Sequence, residues 1–459
     1  MSGLTGKTVV LGITGGIAAY KAAELCRLLV KARARVRVVM TEAATRFITP
    51  LTMQTLSGAP VARDLFDLDE EARIGHIRLG DEADLILIAP ATADAIARMA
   101  AGMADELLAA VVLASRAPVL LAPAMNVNMW ANPLTQQNLT KLMALGRFRT
   151  VGPDRGELAC GWVGEGRLIE PAEIAAAAAR LLSPQDLAGR RVVVTAGPTQ
   201  EPVDDVRFLG NRSSGKMGFA MAEAAARRGA EVTLIAGPVS LPTPMGGGIV
   251  RRDVETAEEM RAALGVAAAT ADVVVMAAAV ADFRPSVRLP GKLSRRAKGA
   301  PQDAGAPATL AVVPNPDLLA ELGRGRRAGR PFLVGFAAET NGDPAHLRAR
   351  AQEKLVEKGC DAVVANHVGV AGQGFGSDEN AVTLVMADGS VSTFALAPKA
   401  EIADQLWSRF VPRLPGGESH ARRVGSGRRR RAPVIRAAGA LAAQHGTGAR
   451  AARERGRRG

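Results

Sequence analysis

A strand, a glycine turn and an alanine-rich helix open twice in this chain, and that repetition limits the folds available to it. The first opening is KTVVLGITGGIAAYKAAELCRLLV from Lys7; the second is RVVVTAGPTQEPVDDVRFLGNRSSGKMGFAMAEAAARRGAEVTLIAG from Arg191. Each starts with a short β-branched run, passes through glycines and enters a helix whose N-terminus can take an anion. Such a chain is expected to be α/β, with two Rossmann-like domains and a separate site in each.

The strand-like runs between and after these openings agree. VRVVM ends at Met40, LILIAP at Pro90 and VLLAPAMN at Asn126, with helical patterns between them. A second series runs RVVVTAG, EVTLIAG, DVVVMAAAVAD, FLVGFAAET and DAVVANHV, then VTLVMADGSVSTF, whose Asp388-Gly389 pair predicts a hairpin. The helix PAEIAAAAARLL and Ser183-Pro184 separate the series, so the expected domains are 1–184 and 185–412, followed by a tail at 413–459. A length of 459 residues with 48% hydrophobic content is enough for two cores.

A net charge of +13 suggests nucleic acid until the charge is located. From Arg413 onward 13 arginines face two acids, Glu418 and Glu454, whereas the body is nearly balanced, with 45 basic and 43 acidic residues. The basicity therefore belongs to a Gly/Arg/Ala tail expected to be disordered, with at most a nonspecific effect on nucleic acid. Cys26, Cys160 and Cys360 are too dispersed for a disulfide framework or a CxxC pair, and the five histidines are equally scattered. No run approaches the ~18 apolar residues of a membrane span, and no signal-peptide core is present, so a cytoplasmic location is expected.

In open α/β sheets ligands bind beyond the carboxyl ends of the strands. After the first strand, Gly15, Gly16 and Ile17 can offer backbone amides to a phosphate. The second strand ends at Thr41 rather than at an acid that would hold a ribose diol, which favours a mononucleotide such as a flavin over a dinucleotide. In the second unit, Gly210 to Lys216 fits GxxxxGK, but Met217 stands where a P-loop needs a hydroxyl for magnesium, and the loop follows its strand too late. A P-loop ATPase is excluded on both grounds.

Four further segments carry a resemblance: IGHIR at Ile74–Arg78, PATADAIARMAAGMADELL from Pro90, PAMNVNMW from Pro123 and ELACGWVGEGR from Glu157. They resemble the flavin-dependent cysteine decarboxylases, and within them the decarboxylase half of the bifunctional phosphopantothenoylcysteine decarboxylases and phosphopantothenate-cysteine ligases of coenzyme A synthesis. The string TAGPTQEPVDDVRFLGNRSSGKMG, with AAAVADFRP, NPDLL, VGFAAET and Ala365-Asn366, resembles the ligase half of the same proteins.

The resemblance implies a flavodoxin-like flavin decarboxylase domain that binds FMN, with Thr92 joining Gly15, Gly16, Ile17 and Thr41 in its contacts. His76 is implied as base and positioning residue, Asn126 as the holder of the departing carboxylate, and Cys160, on a glycine-flanked flap, as proton donor. The substrate's cysteine carboxylate has no electron sink, and oxidising its thiol to a thioaldehyde supplies one. Asp94 stands where many relatives have Asn and cannot donate an amide.

For the second domain the resemblance implies CTP and Mg2+, an acyl-cytidylate of 4'-phosphopantothenate, and attack by the amine of cysteine. Arg207 and Asn211 would handle that intermediate and Asp282 would read the nucleotide. Lys292, in a Gly/Pro-rich loop, would reach the phosphates. Ala277, Ala278, Pro316, Asp317, Leu318, Leu319, Phe336, Lys354 and Lys358 would complete the CTP contacts. Lys354 and Lys358 are four apart and share a helix face, a spacing that by itself favours a solvated basic stripe. Trimers and dimers combining into a homo-oligomeric dodecamer are implied by analogy. The alternatives are a flavin-binding regulatory protein, or a chain retaining one of the two activities.

Overall fold

The valine-rich and leucine-rich runs form parallel strands buried on both faces, as sheets covered by helices on each side require. The computed structural model describes residues 2–65, 75–157, 162–245, 247–292, 309–327, 329–368, 374 and 376–415. In the first sheet β1 (Thr8–Ile13), β2 (Arg35–Met40), β3 (Val61–Ala62), β4 (Leu85–Ala91), β5 (Val119–Pro123) and β6 (Phe148–Thr150) pair in parallel in the order β3-β2-β1-β4-β5-β6. The order reverses between β1 and β4, and a doubly wound sheet opens its ligand crevice at that point. Leu25, Leu29 and Ile174 pack on one face, and Ile96, Leu108 and Val111 on the other.

Outside this sheet, β7 (Asp154–Glu157) and β8 (Val163–Arg167) form an antiparallel ribbon. Gly166, at φ +147°, permits its close approach: a Cβ there would lie 2.3 Å from the Met125 carbonyl oxygen. The Met125 N–H donates to the Gly166 carbonyl at 2.9 Å.

The second sheet begins with β9 (Arg191–Ala196). The β10 (Gln200–Pro202) and β11 (Phe208–Gly210) ribbon separates this strand from the helix Lys216–Arg227. β12 (Glu231–Ala236), β13 (Ile249–Asp253) and β14 (Val273–Met276) follow, then a ribbon of β15 (Phe283–Pro285) and β16 (Val312–Pro314). β17 (Phe332–Glu339), β18 (Ala362–His367), β19 (Glu379–Met386) and β20 (Val391–Pro398) complete an eight-stranded sheet in the order β13-β12-β9-β14-β17-β18-β19-β20. The hairpin at Asp388-Gly389 forms as expected, joining antiparallel β19 and β20. Strand β13, IVRRD, is a correction to the sequence reading. It lies at the sheet edge with most side chains in water, so it needs no apolar run.

The sheet is covered on both faces. The helices Lys216–Arg227 and Lys399–Phe410 pack on one, where Trp407 and Phe410 are fully buried and the Trp407 indole donates to the Met221 carbonyl at 3.0 Å. Leu318, Leu319, Leu347 and Leu355, from the helices Leu318–Gly325 and Pro344–Lys358, pack on the other. Between the two sheets Arg227 donates to the Ser183 hydroxyl at 3.1 Å and pairs with Asp404, while Arg228 forms a two-pronged bond to Asp186 at 2.9 and 2.6 Å. No helix among the described residues is long and apolar enough to cross a membrane.

Candidate active sites

At the crevice of the first sheet, three threonines tie the strand ends together. The Thr14 hydroxyl donates to the Pro90 carbonyl at 2.7 Å and accepts from the Thr92 N–H at 3.2 Å, linking the loops after β1 and β4. Thr41 caps the helix Glu42–Thr45 and Thr92 caps Ala93–Ala101, each accepting from the N–H three residues on at 3.3 Å. Among the described residues neither hydroxyl donates, so both protons are available to an anion. Gly15 is required by contact rather than by dihedral: a Cβ there would lie 2.3 Å from Ala43 Cβ and 2.9 Å from the Ala43 carbonyl carbon. These donors, with no carboxylate at the end of β2, fit a mononucleotide phosphate. Ile17 is exposed beside them, at the start of the turn Ile17–Tyr20. Asp94 turns to solvent and pairs with Arg98 at 3.0 Å.

Asn126 follows β5 and caps the helix Val127–Ala131, accepting from the Asn128 N–H at 2.8 Å. Because β8 is bonded to Met125, and Trp130 donates to Glu165 at 3.2 Å, the base of the β7–β8 ribbon lies against the PAMN segment. Cys160 lies outside the described residues, in the connection between those two strands. His76 occupies the first turn of the helix Gly75–Glu82, half-buried. That helix feeds the parallel strand β4, so its first turn points toward the carboxyl edge where the other residues stand.

In the second sheet the strand ends enclose a cavity of about 820 Å³. Asn211, Ala277, Ala278, Asp282, Pro316, Asp317, Leu318, Leu319, Phe336, Lys354 and Lys358 all line it, so residues from five separate segments converge. Hydrogen bonds between the loops set this shape. The Ala278 and Ala281 N–H groups donate to the Thr195 and Thr199 hydroxyls at 3.2 and 3.0 Å, and Asn315 donates to the Ala281 carbonyl at 2.8 Å. Asn211 is fixed by donating to the Val280 carbonyl at 2.8 Å.

The two lysines expected on one helix face are not a solvated stripe. Lys354 donates to the Phe336 carbonyl at 2.7 Å, and burial lowers its pKa from the usual lysine range. Lys358 is also substantially buried, yet its bonds to Asp317 and Glu357 outweigh that burial and hold its ammonium above the ordinary value. Arg207 and Lys292 are placed outside the cavity lining. Arg207 pairs at 2.8 Å with the buried carboxylate of Asp204, and Lys292 is exposed. Lys216 and Lys399 also line the cavity, and neither entered the sequence-based site. Lys216 sits in the GxxxxGK string and falls with the rejected P-loop, whereas Lys399, at the start of its helix, carries no local signal.

These two sites define the class, a two-domain flavoprotein. Residues 2–183 match the flavoprotein family model, and residues 187–413 match that of the DNA/pantothenate metabolism flavoprotein C-terminal domain. The chain is 50% identical over 85% of its length to 95% of the coenzyme A biosynthesis bifunctional protein CoaBC of Vibrio cholerae. It is 48% identical over 84% of its length to 92% of the CoaBC of Escherichia coli. The crystal structure of the C-terminal domain of a CoaBC shares 34% identity and a TM-score of 0.40, covering 50% of this chain and 97% of that one. The chain belongs to the family of bifunctional coenzyme A biosynthesis proteins. It is an enzyme with a decarboxylase half and a ligase half.

Proposed function

We propose that residues 185–412 use CTP with Mg2+ to join cysteine to 4'-phosphopantothenate, and that residues 1–184 use FMN to decarboxylate the resulting amide to 4'-phosphopantetheine. The convergence of Asn211, Asp282, Asp317, Phe336, Lys354 and Lys358 on one cavity carries the ligase reading. A carboxylate is a poor electrophile. Transferring the cytidylyl group of CTP to its oxygen releases pyrophosphate and makes a mixed anhydride, whose acyl carbon the amine of cysteine attacks, with loss of CMP and a proton. In this reading Lys354 and Lys358 stabilise the charge that moves onto pyrophosphate, Asp282 reads the base, and Asn211 and Arg207 position the acyl-cytidylate. Lys292, exposed and outside the cavity lining, would have to reach the phosphates, and Mg2+ would enter with the nucleotide.

Gly15, Gly16, Ile17, Thr41 and Thr92 hold the FMN phosphate. When bound, the flavin supplies the two-electron oxidation of the substrate thiol and the later reduction. Asn126 binds the carboxylate, His76 takes the thiol proton and Cys160 returns a proton in the reductive half. We place the enzyme in the cytoplasm as a homo-oligomer of trimers and dimers.

Purified protein is expected to be yellow, and to release pyrophosphate from CTP, in preference to ATP, only when phosphopantothenate is present. Loss of CO2 should then depend on prior addition of cysteine. Pyrophosphate release without phosphopantothenate, or equal use of ATP, overturns the CTP assignment.

A further inference from the structure

Two cavity lysines stand where a helix least tolerates them. Lys216 is the first residue of Lys216–Arg227 and Lys399 the first of Lys399–Phe410. Each puts an ammonium group at the positive end of a helix dipole, where anions are favoured. Lys399 is also 6% exposed and, among the described residues, forms no ion pair with a carboxylate; its Nζ donates to the Gly374 carbonyl at 2.9 Å and to that of Ser377. Burial, reinforced by repulsion from Lys216 and opposed by Asp378, lowers its pKa. Lys216 donates to the Gly376 carbonyl at 2.7 Å and pairs at 2.7 Å with Asp378, a carboxylate that is itself 87% exposed. The Lys399 N–H donates to the Asp378 carbonyl at 2.9 Å. The two lysines therefore grip one short stretch of backbone from two helices.

Both of those helices pack on one face of the second sheet, whereas the helix bearing Lys354 and Lys358 packs on the other. The cavity at the carboxyl edge thus takes two pairs of lysines, one from each face of the sheet. Resting on the ligase reading above, we propose that Lys216 and Lys399 form a second phosphate-binding pair in this cavity. Lys216 contacts a phosphate group by exchanging Asp378 for it, and Lys399 is a positioning residue that fixes the backbone holding Lys216. The ligase reading supplies two sources of that chemistry, the polyphosphate of the nucleotide and the phosphomonoester of phosphopantothenate.

The test titrates the full chain with inorganic pyrophosphate and with inorganic phosphate by calorimetry, in wild type, Lys216→Met, Lys216→Arg and Lys399→Met. Lys216→Met is expected to weaken one of these anions by about ten- to hundredfold, the cost of a lost charged hydrogen bond, with Lys216→Arg keeping most of the affinity. Steady-state pyrophosphate release then separates the sources. A rise of about tenfold or more in KM for CTP assigns the polyphosphate, and the same rise for phosphopantothenate assigns the monoester. Lys399→Met should shift the same KM. If that buried substitution prevents folding, Lys216→Met decides alone. Should the wild type turn over no CTP while Lys216→Met still loses anion affinity, the ligase reading fails and the phosphate site stands. Unchanged affinity for both anions and both KM values within about twofold in Lys216→Met overturns the proposal.

Discussion

The Nζ of Lys358 lies 2.8 Å from Oδ2 of Asp317, joining the last turn of one helix to the N-cap of another in the lining of the second sheet's cavity. Gly323 allows this meeting, because a Cβ there would lie 1.9 Å from the Lys358 carbonyl oxygen. Burial acts to raise the Asp317 carboxyl pKa. The bond to Lys358 and the Ala320 N–H outweigh it and hold the pKa below the usual carboxylate range. A depressed pKa stabilises the fold above the unfolded value of about 4, and that contribution is lost as pH falls through the lower folded value. Asn at 317 can still cap the helix, so Asp317→Asn isolates the charge. It should cost about 0.5–1 kcal/mol at pH 7, the site being partly exposed, and the difference should shrink below about pH 4. Melting temperatures of both proteins across pH check this, and a difference independent of pH removes the ion pair from the account.

Asn211→Asp replaces a donor by an acceptor 2.8 Å from the Val280 carbonyl. The repulsion should move residue 211 out of the cavity and lower ligation at least about tenfold, leaving decarboxylation of supplied phosphopantothenoylcysteine unchanged. Separate assays of the two half-reactions read it directly.

Gly166→Ala puts a methyl group 2.3 Å from the Met125 carbonyl, at a φ of +147° that side chains avoid. The ribbon should withdraw from the PAMN segment, so decarboxylation falls while ligation persists. A variant that decarboxylates at the wild-type rate would detach the ribbon from that reaction.

Burial pushes the Cys26 thiol up to about 11 and the Cys360 thiol up to about 12. Both should therefore be silent to alkylation at pH 8 in the native protein. At most one of the three cysteines should react before denaturation, and Cys160→Ser should bring that count to zero. The same variant should stall after CO2 loss with an enethiol product.

Arg227 is 6% exposed and pairs with Asp404 while bonding Ser183. Removing it takes away a donor from the buried Ser183 hydroxyl and the guanidinium paired with the partly exposed Asp404, so Arg227→Ala should destabilise the chain by about 1–3 kcal/mol. The midpoint of urea unfolding measures this, and a loss under about 0.5 kcal/mol would show that water replaces the guanidinium.

Much of the fold was legible because parallel strands buried on both faces must be apolar throughout. β1, β4, β5 and β9 announce themselves that way. Edge strand β13 and the ribbons β10–β11 and β15–β16 carry no such run, since water or a single neighbour satisfies them. The positions of Gly15, pressed against Ala43, and of Asn211, in the cavity lining, follow from tight local motifs. That of Lys399 does not, because its role depends on what packs beside it.

Two α/β units, the motifs in their loops and the family are all written in the order of the residues. Those properties reside in short windows, where period, turn residues and motif spacing act locally. Tertiary structure alone decided which cations share a cavity. Lys216 reaches the Gly376 carbonyl across 160 residues of chain, and meets Lys354 and Lys358 around that cavity only because helices on opposite faces of one sheet end at its carboxyl edge. Strand order fixes that meeting, and strand order is set by long-range pairing that no local window contains.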